Sequence, residues 1–439
     1  MTTNQTITLV VLGAVILALI RNRLRSDVVA LTGAAVLLMT GVVRPVDIQG
    51  AFASPAIIAL ASLFVIAYAL ELSGLLDALI RGTTGLCRAI GRAGLWFIIT
   101  LAGGASAFLN NTPIVVLSAP VVRDVAKSMG LSPKRFLIPL SYSAVLGGCC
   151  TLIGTSTNLL VNDMAVNGGQ PRFGIFEISP VGVAVAIAGG LYLLLFSGRL
   201  IRAEAPEDVD AGPAQPLPEG GEPGLAGGQL GSALPFAKER RLRPLPALAS
   251  LTVFVGVVAL AALDVAPIAA CAFSGAVLLI LLRVITADEA YHGLRPDVLM
   301  LIAGMVVLGT ALDKTGLARA ATSGLIDSLQ GISPVMALII LYGVTLFATE
   351  LLSNATVAVL LTPVAISLAD TLHVSPRPFL VAVMIAGSAA FATPFGYQTN
   401  VIVYQLGRYN YLDFLRVGIP LNLITWAVGI VAILAWFPF

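Results

Sequence analysis

Four interruptions in an otherwise apolar chain hold the polar residues best placed to do chemistry. They read Asn110–Asn111–Thr112–Pro113, Gly154–Thr155–Ser156–Thr157–Asn158, Ser353–Asn354–Ala355–Thr356 and Thr393–Pro394–Phe395–Gly396–Tyr397–Gln398–Thr399–Asn400. Amide and hydroxyl oxygens, joined by carbonyls freed where a helix breaks, suit a small hard cation such as Na⁺. The N–H groups freed at the next helix start carry partial positive charge and attract anions. No Lys or Arg lies in any of the four segments. An anion held there would rest on neutral donors and helix dipoles, with bound cations supplying the compensating charge.

The spacing of the interruptions argues that they belong together. Asn111 lies 243 residues before Asn354, and Asn158 lies 242 before Asn400. Leu70–Glu71–Leu72–Ser73–Gly74–Leu75 precedes Leu312–Asp313–Lys314–Thr315–Gly316–Leu317 by 242. Three matches in register point to an internal duplication. A lone Asn in an apolar run is ordinarily a helix–helix hydrogen bond, but that does not account for four at repeat-related places.

The elements that must position these residues follow from composition. The chain has 439 residues, 58% of them apolar and 11% charged, against about 25% charged in a soluble domain. Its apolar runs are apolar all round, so spanning helices are expected rather than a barrel. Gly94–Val122 and Pro334–Ala369 are too long for one simple crossing and too short for two. Each is expected to be a re-entrant hairpin with its polar residues at the tip. The Gly154–Asn158 and Thr393–Asn400 segments read as unwound stretches within a span. Full spans are then expected near 6–20, 27–43, 55–72, 136–161 and 179–197, and near 247–263, 267–283, 297–312, 379–403 and 417–437.

Five spans is an odd number, so the second half is expected to be inverted relative to the first. Charge agrees: with the amino terminus outside, 20 of the 25 Lys and Arg residues, Arg295 among them, fall on the cytoplasmic side. The outer side takes Arg44, Arg172, Lys314, Arg319 and Arg377. Paired interruptions in inverted halves point to the binding site of a secondary transporter. Each tip is expected to pair with the unwound loop of its own repeat, giving two cation sites with the substrate between them. The Gly/Pro/Ala-rich stretch from about Arg202 to Arg243 reads as a flexible linker.

Other residues carry blander expectations. Cys87, Cys149, Cys150 and Cys271 read as packing residues, although Cys149 and Cys150 could form a vicinal disulfide. His292 and His373 fall in expected loops, and Glu71 and Asp313 at span ends. Tyr397 and Gln398 could touch substrate or simply pack. Glu350, three residues before Ser353, could orient the second hairpin or take part in proton coupling, and a hydrogen-bonded structural role is favoured. No nucleophile–base pair, phosphate-binding GxxxxGK[ST] or HExxH motif is present, which disfavours a membrane-embedded enzyme. The inverted repeats and hairpins disfavour a channel. The first apolar run lacks a basic leader and a cleavage site and reads as a retained span. The net charge of +2 implies no nucleic-acid partner.

The segments SAFLNNTPIVVLSAPVV, LIPLSYSAVLGGCCTLIGTSTNLLVN, SNATVAVLLTPVAISLA and FATPFGYQTNVIVYQLGRYNYLDFLRVGIPLNLI resemble the divalent anion–sodium symporter family, nearest its sulfate-permease-like branch within the ion transporter superfamily. The resemblance implies a homodimer in the plasma (inner) membrane, with scaffold and transport domains that move as an elevator. It implies an all-α polytopic fold divided into residues 1–202 (1–92 scaffold, 93–202 transport), a cytoplasmic linker at 203–243, and residues 244–439 (244–330 scaffold, 331–439 transport). It places one Na⁺ at Asn110, Asn111, Gly154, Thr155 and Asn158, and another at Ser353, Asn354, Ala392, Thr393 and Asn400. Asn111, Thr112, Ser353, Asn354 and Thr356 would hold the anion. The family's usual tip is Ser-Asn-Thr; here Asn110–Asn111–Thr112 and Ser353–Asn354–Ala355 depart from it, which leaves sulfate beside the di- and tricarboxylates. The regulatory domains that relatives often carry between the halves are replaced by the short linker. The leading expectation is sodium-coupled symport of a small divalent anion; a sodium/proton or arsenite antiporter is the alternative.

Overall fold

A computed structural model describes residues 2–21, 24–75, 78, 91–201, 242–263, 265–317, 332–394 and 396–439. The expected linker lies outside these apart from its last two residues, as do Arg81, Cys87, Arg319 and Phe395. Among the described residues every regular element is helical.

The helices recur along the chain. In the first half they are Thr3–Arg21, Ser26–Met39, Pro45–Phe52, Pro55–Leu72, Arg92–Ser106, Asn111–Ser128, Lys134–Gly148, Ser156–Asn167 and Ser179–Tyr192, the last prolonged by a π turn at Leu193–Ser197. In the second half they are Pro244–Ala262, Ile268–Leu281, Ala287–Gly293, Pro296–Thr315, Pro334–Ala348, Asn354–Leu372, Arg377–Ser388, Gln398–Gly407 and Tyr411–Trp436. Arg92 and Pro334, which open the two hairpins, are 242 residues apart. Ser156 and Gln398, which resume the two broken spans, are also 242 apart.

Packing follows the same pattern. Ser26–Met39 lies against Pro296–Thr315, and its counterpart Ile268–Leu281 lies against Pro55–Leu72. In each half the first hairpin arm packs on the first part of the broken span. Asn111–Ser128 reaches across to Gln398–Gly407, as Asn354–Leu372 does to Ser156–Asn167. The four interruptions are thereby drawn to the middle of one bundle.

By length and composition alone, five helices among the described residues are long and apolar enough to cross a membrane, or six if the pair Ala287–Gly293 and Pro296–Leu312, bent by 58°, counts as one span. Two of the expected spans, Ser26–Met39 and Ile268–Leu281, are 14-residue helices, about 21 Å long at 1.5 Å per residue. Two short helices, Pro45–Phe52 and Ala287–Gly293, were not legible in the apolar pattern because both are mixed in polarity. The second is set by its ends: Thr286 Oγ1 accepts from the Glu289 amide and the Glu289 carboxylate accepts from the Thr286 amide. Asn354–Leu372 also exceeds a short re-entrant arm; its 19 residues pass the spanning test.

Close backbone approach makes the core around the first hairpin. A Cβ on Gly147 would stand 1.9 Å from the Gly103 carbonyl oxygen, and one on Gly103 would stand 2.9 Å from that of Ser143. The hairpin arm and the broken span therefore touch through main chain. Gly147→Ala is expected to cost about 3 kcal/mol or more, since neither backbone can yield as a side chain would. Gly104→Ala, with nothing within 4 Å of its new Cβ, is the control. Thermal unfolding of the two variants in detergent checks this, and equal midpoints would refute it.

Candidate functional site

Each interruption ends where a helix begins, and side chains at those starts cap the freed amides. Asn110 Oδ1 accepts from the Thr112 amide at 3.1 Å, Thr155 Oγ1 from Thr157 at 3.4 Å and Ser353 Oγ from Thr356 at 3.2 Å. The fourth start has no side-chain cap, because its cap position is Tyr397. That phenol leaves its own helix and accepts from Asn111 Nδ2 at 2.8 Å.

Residues from all four helix starts line a single cavity of about 130 Å³. Asn110 and Thr112 come from the first tip, Ser156 and Thr157 from the first loop, Ser353 and Asn354 from the second tip, and Tyr397 and Gln398 from the second loop. Four helix amino ends so arranged make a positive-potential site built from main chain. The volume is small beside the roughly 300 Å³ and more of drug-sized sites. A second, smaller cavity shares Asn110, Ser156 and Tyr397 and adds Gly154 and Thr155.

The bonds behind the tips repeat with the chain. Asn111 Oδ1 accepts from Ser106 Oγ, and Asn354 Oδ1 from Thr349 Oγ1 at 2.7 Å. Thr151 Oγ1 donates to the Ala107 carbonyl, and Thr393 Oγ1 is 3.4 Å from that of Glu350. Asn158 Nδ2 donates to the Thr151 carbonyl at 2.9 Å, and Asn400 Nδ2 to that of Thr393 at 3.1 Å. Each tip thus contacts the loop of its own half. Further bonds cross between halves: Thr112 Oγ1 to Gln398 Oε1 at 3.1 Å, and Ser141 Oγ to Asn400 Oδ1 at 2.7 Å.

The two loops differ at their Asn residues. Asn400 is hydrogen-bonded at both ends of its amide. Asn158 is fully buried, and its Oδ1 has no partner. The position 242 residues after Ser141 is Val383, whose side chain has nothing to donate. A buried carbonyl oxygen without a donor costs free energy unless a cation or water completes it. Asn158 thus brings an unpartnered amide oxygen to the first loop, whose Gly154 and Thr155 line the smaller cavity.

Comparison with known proteins identifies the family. The citrate transporter (CitMHS) family profile matches residues 15–370 and 351–438. The chain belongs to this family. Family members are transporters, not enzymes, and the chain is a multi-pass membrane protein. An uncharacterized transporter of Synechocystis is 24% identical over 95% of this chain and 95% of its own length. The uncharacterized transporter YfbS of Escherichia coli is 25% identical over 98% of each. A probable sodium/sulfate cotransporter of Chlamydomonas reinhardtii is 47% identical over 97 residues, 20% of this chain and 11% of its own. The YdaH transporter of Alcanivorax borkumensis has the same fold, with a TM-score of 0.61 at 14% identity over 89% of this chain and 87% of that one.

In this transporter the remaining predicted residues take supporting places. Thr356 is buried and bonded to Ser353 Oγ at 2.7 Å. The amides of Ala392 and Thr393 point at Glu350, whose Oε1 accepts from Ala392 N at 2.7 Å and whose Oε2 accepts from Thr393 N at 3.0 Å and Thr393 Oγ1 at 2.9 Å. Asn422 Nδ2 completes the set at 2.8 Å to Oε1. Glu350 thus clamps the second hairpin to the second loop, where the first half has Ala107 in the equivalent position. Asn422 and Arg295, which lines the cavity, escaped notice in the sequence. Asn422 sits in an apolar span without a repeat partner of its type, and Arg295 looks like an ordinary loop cation.

Proposed function

We propose that this protein is a sodium-coupled symporter of a small divalent anion, sulfate first and a di- or tricarboxylate second. The observation that carries the reading is the convergence of four helix amino ends on one small cavity whose tip and loop residues are uncharged. The tips and loops attract a dianion through dipoles and neutral donors, and co-transported cations would supply the balancing charge as the site moves. The Asn158 oxygen, with Gly154 and Thr155, is where the first Na⁺ would be held. The second would lie near Ser353, Asn354, Ala392, Thr393 and Asn400. A loaded site of small net charge crosses a membrane at low electrostatic cost. The name of the Chlamydomonas relative supports sodium and sulfate, and that of the family supports a carboxylate.

The working cycle on this reading is an elevator movement of residues 93–202 and 331–439 against residues 1–92 and 244–330, in a homodimer of the inner membrane. The termini would lie outside and the linker 203–243 in the cytoplasm. The exchanger alternative draws on Glu350 as a proton carrier. Its four hydrogen bonds give that carboxylate an anchoring task instead, which favours symport.

Labelled sulfate and succinate uptake into proteoliposomes, with and without an inward Na⁺ gradient, tests the reading. Uptake is expected to depend on the gradient, and sodium-independent uptake or none would overturn it. Asn111→Ala and Asn354→Ala should each lower uptake about tenfold and weaken Na⁺ activation, through loss of one amide contact worth about 1.4 kcal/mol. Unchanged sodium activation in both would remove the tips from the site.

A further inference from the structure

Among the described residues lining the cavity, Arg295 alone carries a charge. It stands at the start of Pro296–Thr315, and its carbonyl receives the amides of Val298 and Leu299, both at 3.1 Å. Its place at the helix entrance is therefore held by main chain, which leaves the guanidinium to other work. That group is 34% exposed and lies 3.6 Å from Asp297, an ion-pair distance too long for a hydrogen bond. Among the described residues none accepts a hydrogen bond from it. Nearby Arg25 is tied more closely, with two hydrogen bonds to Asp27 at 2.8 and 3.1 Å. Asp297 also acts on Arg25, so the four charges balance while Arg295 is the member that reaches the cavity. A guanidinium with free N–H groups is suited to oxyanions through paired hydrogen bonds.

The helix that carries Arg295 packs on Ser26–Met39 and falls within residues 244–330. The tips and loops belong to the parts assigned to movement. We propose that Arg295 is an anion contact on the scaffold, available to the cavity in one end state and left behind in the other. This rests on the elevator and symport reading above. With Arg295 on the cytoplasmic side, the contact would form as the cavity reaches the inward-facing end state and be absent from the outward-facing one, so it would set the affinity for a divalent oxyanion on the cytoplasmic face alone. A merely topological role, holding the loop on one side of the membrane, gives no reason for this residue to line the cavity.

Two measurements test this. Sodium-driven sulfate transport is compared in vesicles of both orientations for the wild type, Arg295→Gln and Arg295→Lys. Arg295→Gln is expected to raise the KM for sulfate about tenfold from one face, by loss of a charge-assisted contact, and to leave the other face and the Na⁺ activation curve unchanged. Arg295→Lys keeps the charge but not the paired hydrogen bonds, and should recover only part of the affinity. An unchanged KM on both faces, or an equal rise on both, overturns the proposal. Sulfate binding to detergent-solubilised protein, read by calorimetry without any gradient, is the second measurement. Weaker binding to Arg295→Gln supports the contact even where wild-type uptake proves sodium-independent, a result that would sink the symport reading alone. Equal binding to wild type and Arg295→Gln, or no binding to wild type, overturns the contact.

Discussion

Asn158→Ala and Asn400→Ala, although 242 residues apart at matching places, are expected to fail in different ways. Asn158 has an unpartnered buried oxygen, so its loss should raise the half-saturating Na⁺ concentration about tenfold or more, or about 1.4 kcal/mol per factor of ten. The fold loses one hydrogen bond, to the Thr151 carbonyl, worth about 1 kcal/mol. Asn400 instead joins Ser141, Ala390 and Thr393. Its removal leaves several buried groups unpaired, at about 3 kcal/mol in total. Thermal unfolding with and without Na⁺ separates the two. The wild type should gain stability from Na⁺ by mass action; Asn158→Ala should lose that gain, and Asn400→Ala should be unstable in both conditions. If Asn158→Ala keeps both the sodium-induced gain and normal activation, the first loop is not a cation site.

Glu350→Ala should produce the largest loss of stability of any substitution near the site. It strips the acceptor from the Ala392 and Thr393 amides, Thr393 Oγ1 and Asn422 Nδ2 at once. Breaking a buried charged network from one side costs about 3–5 kcal/mol. Glu350→Gln keeps one oxygen with two of its donors, but its new NH₂ must face the donors of the other pair, so it should recover only part of the loss. The melting midpoint and the pH profile of transport decide the matter together. A Gln variant as stable as wild type but with an altered pH profile would return Glu350 to proton coupling and revive the exchanger reading. Loss of stability with an unchanged pH profile in the surviving fraction is the expected result.

Much of the site was legible because its logic is linear. The duplication shows as spacing, since Asn111 and Asn354 stand 47 and 46 residues before Asn158 and Asn400. Breaks show because Gly, Pro, Asn and Thr disturb apolar runs that would otherwise stay helical. The short helices Pro45–Phe52 and Ala287–Gly293 were missed because an apolar-run reading is blind to mixed segments. Their ends depend on polar contacts, such as Asp47 with Lys314 Nζ at 2.6 Å, 267 residues away.

The four Asn-bearing breaks, their pairing into two halves and the membrane class of the chain were therefore determined by the sequence alone, because composition and periodicity encode which segments must leave water. Only the tertiary structure decided what each break touches. Tyr397 and Gln398 cross 286 residues to Asn111 and Thr112, and Ser141 satisfies Asn400 while Asn158 is left open. Arg295 reaches a cavity that no local pattern connects it to. These pairings require main chains to touch at residues such as Gly147 and Gly103. Repeat-related motifs acquire different partners because a side chain from the other half completes Asn400 and none completes Asn158.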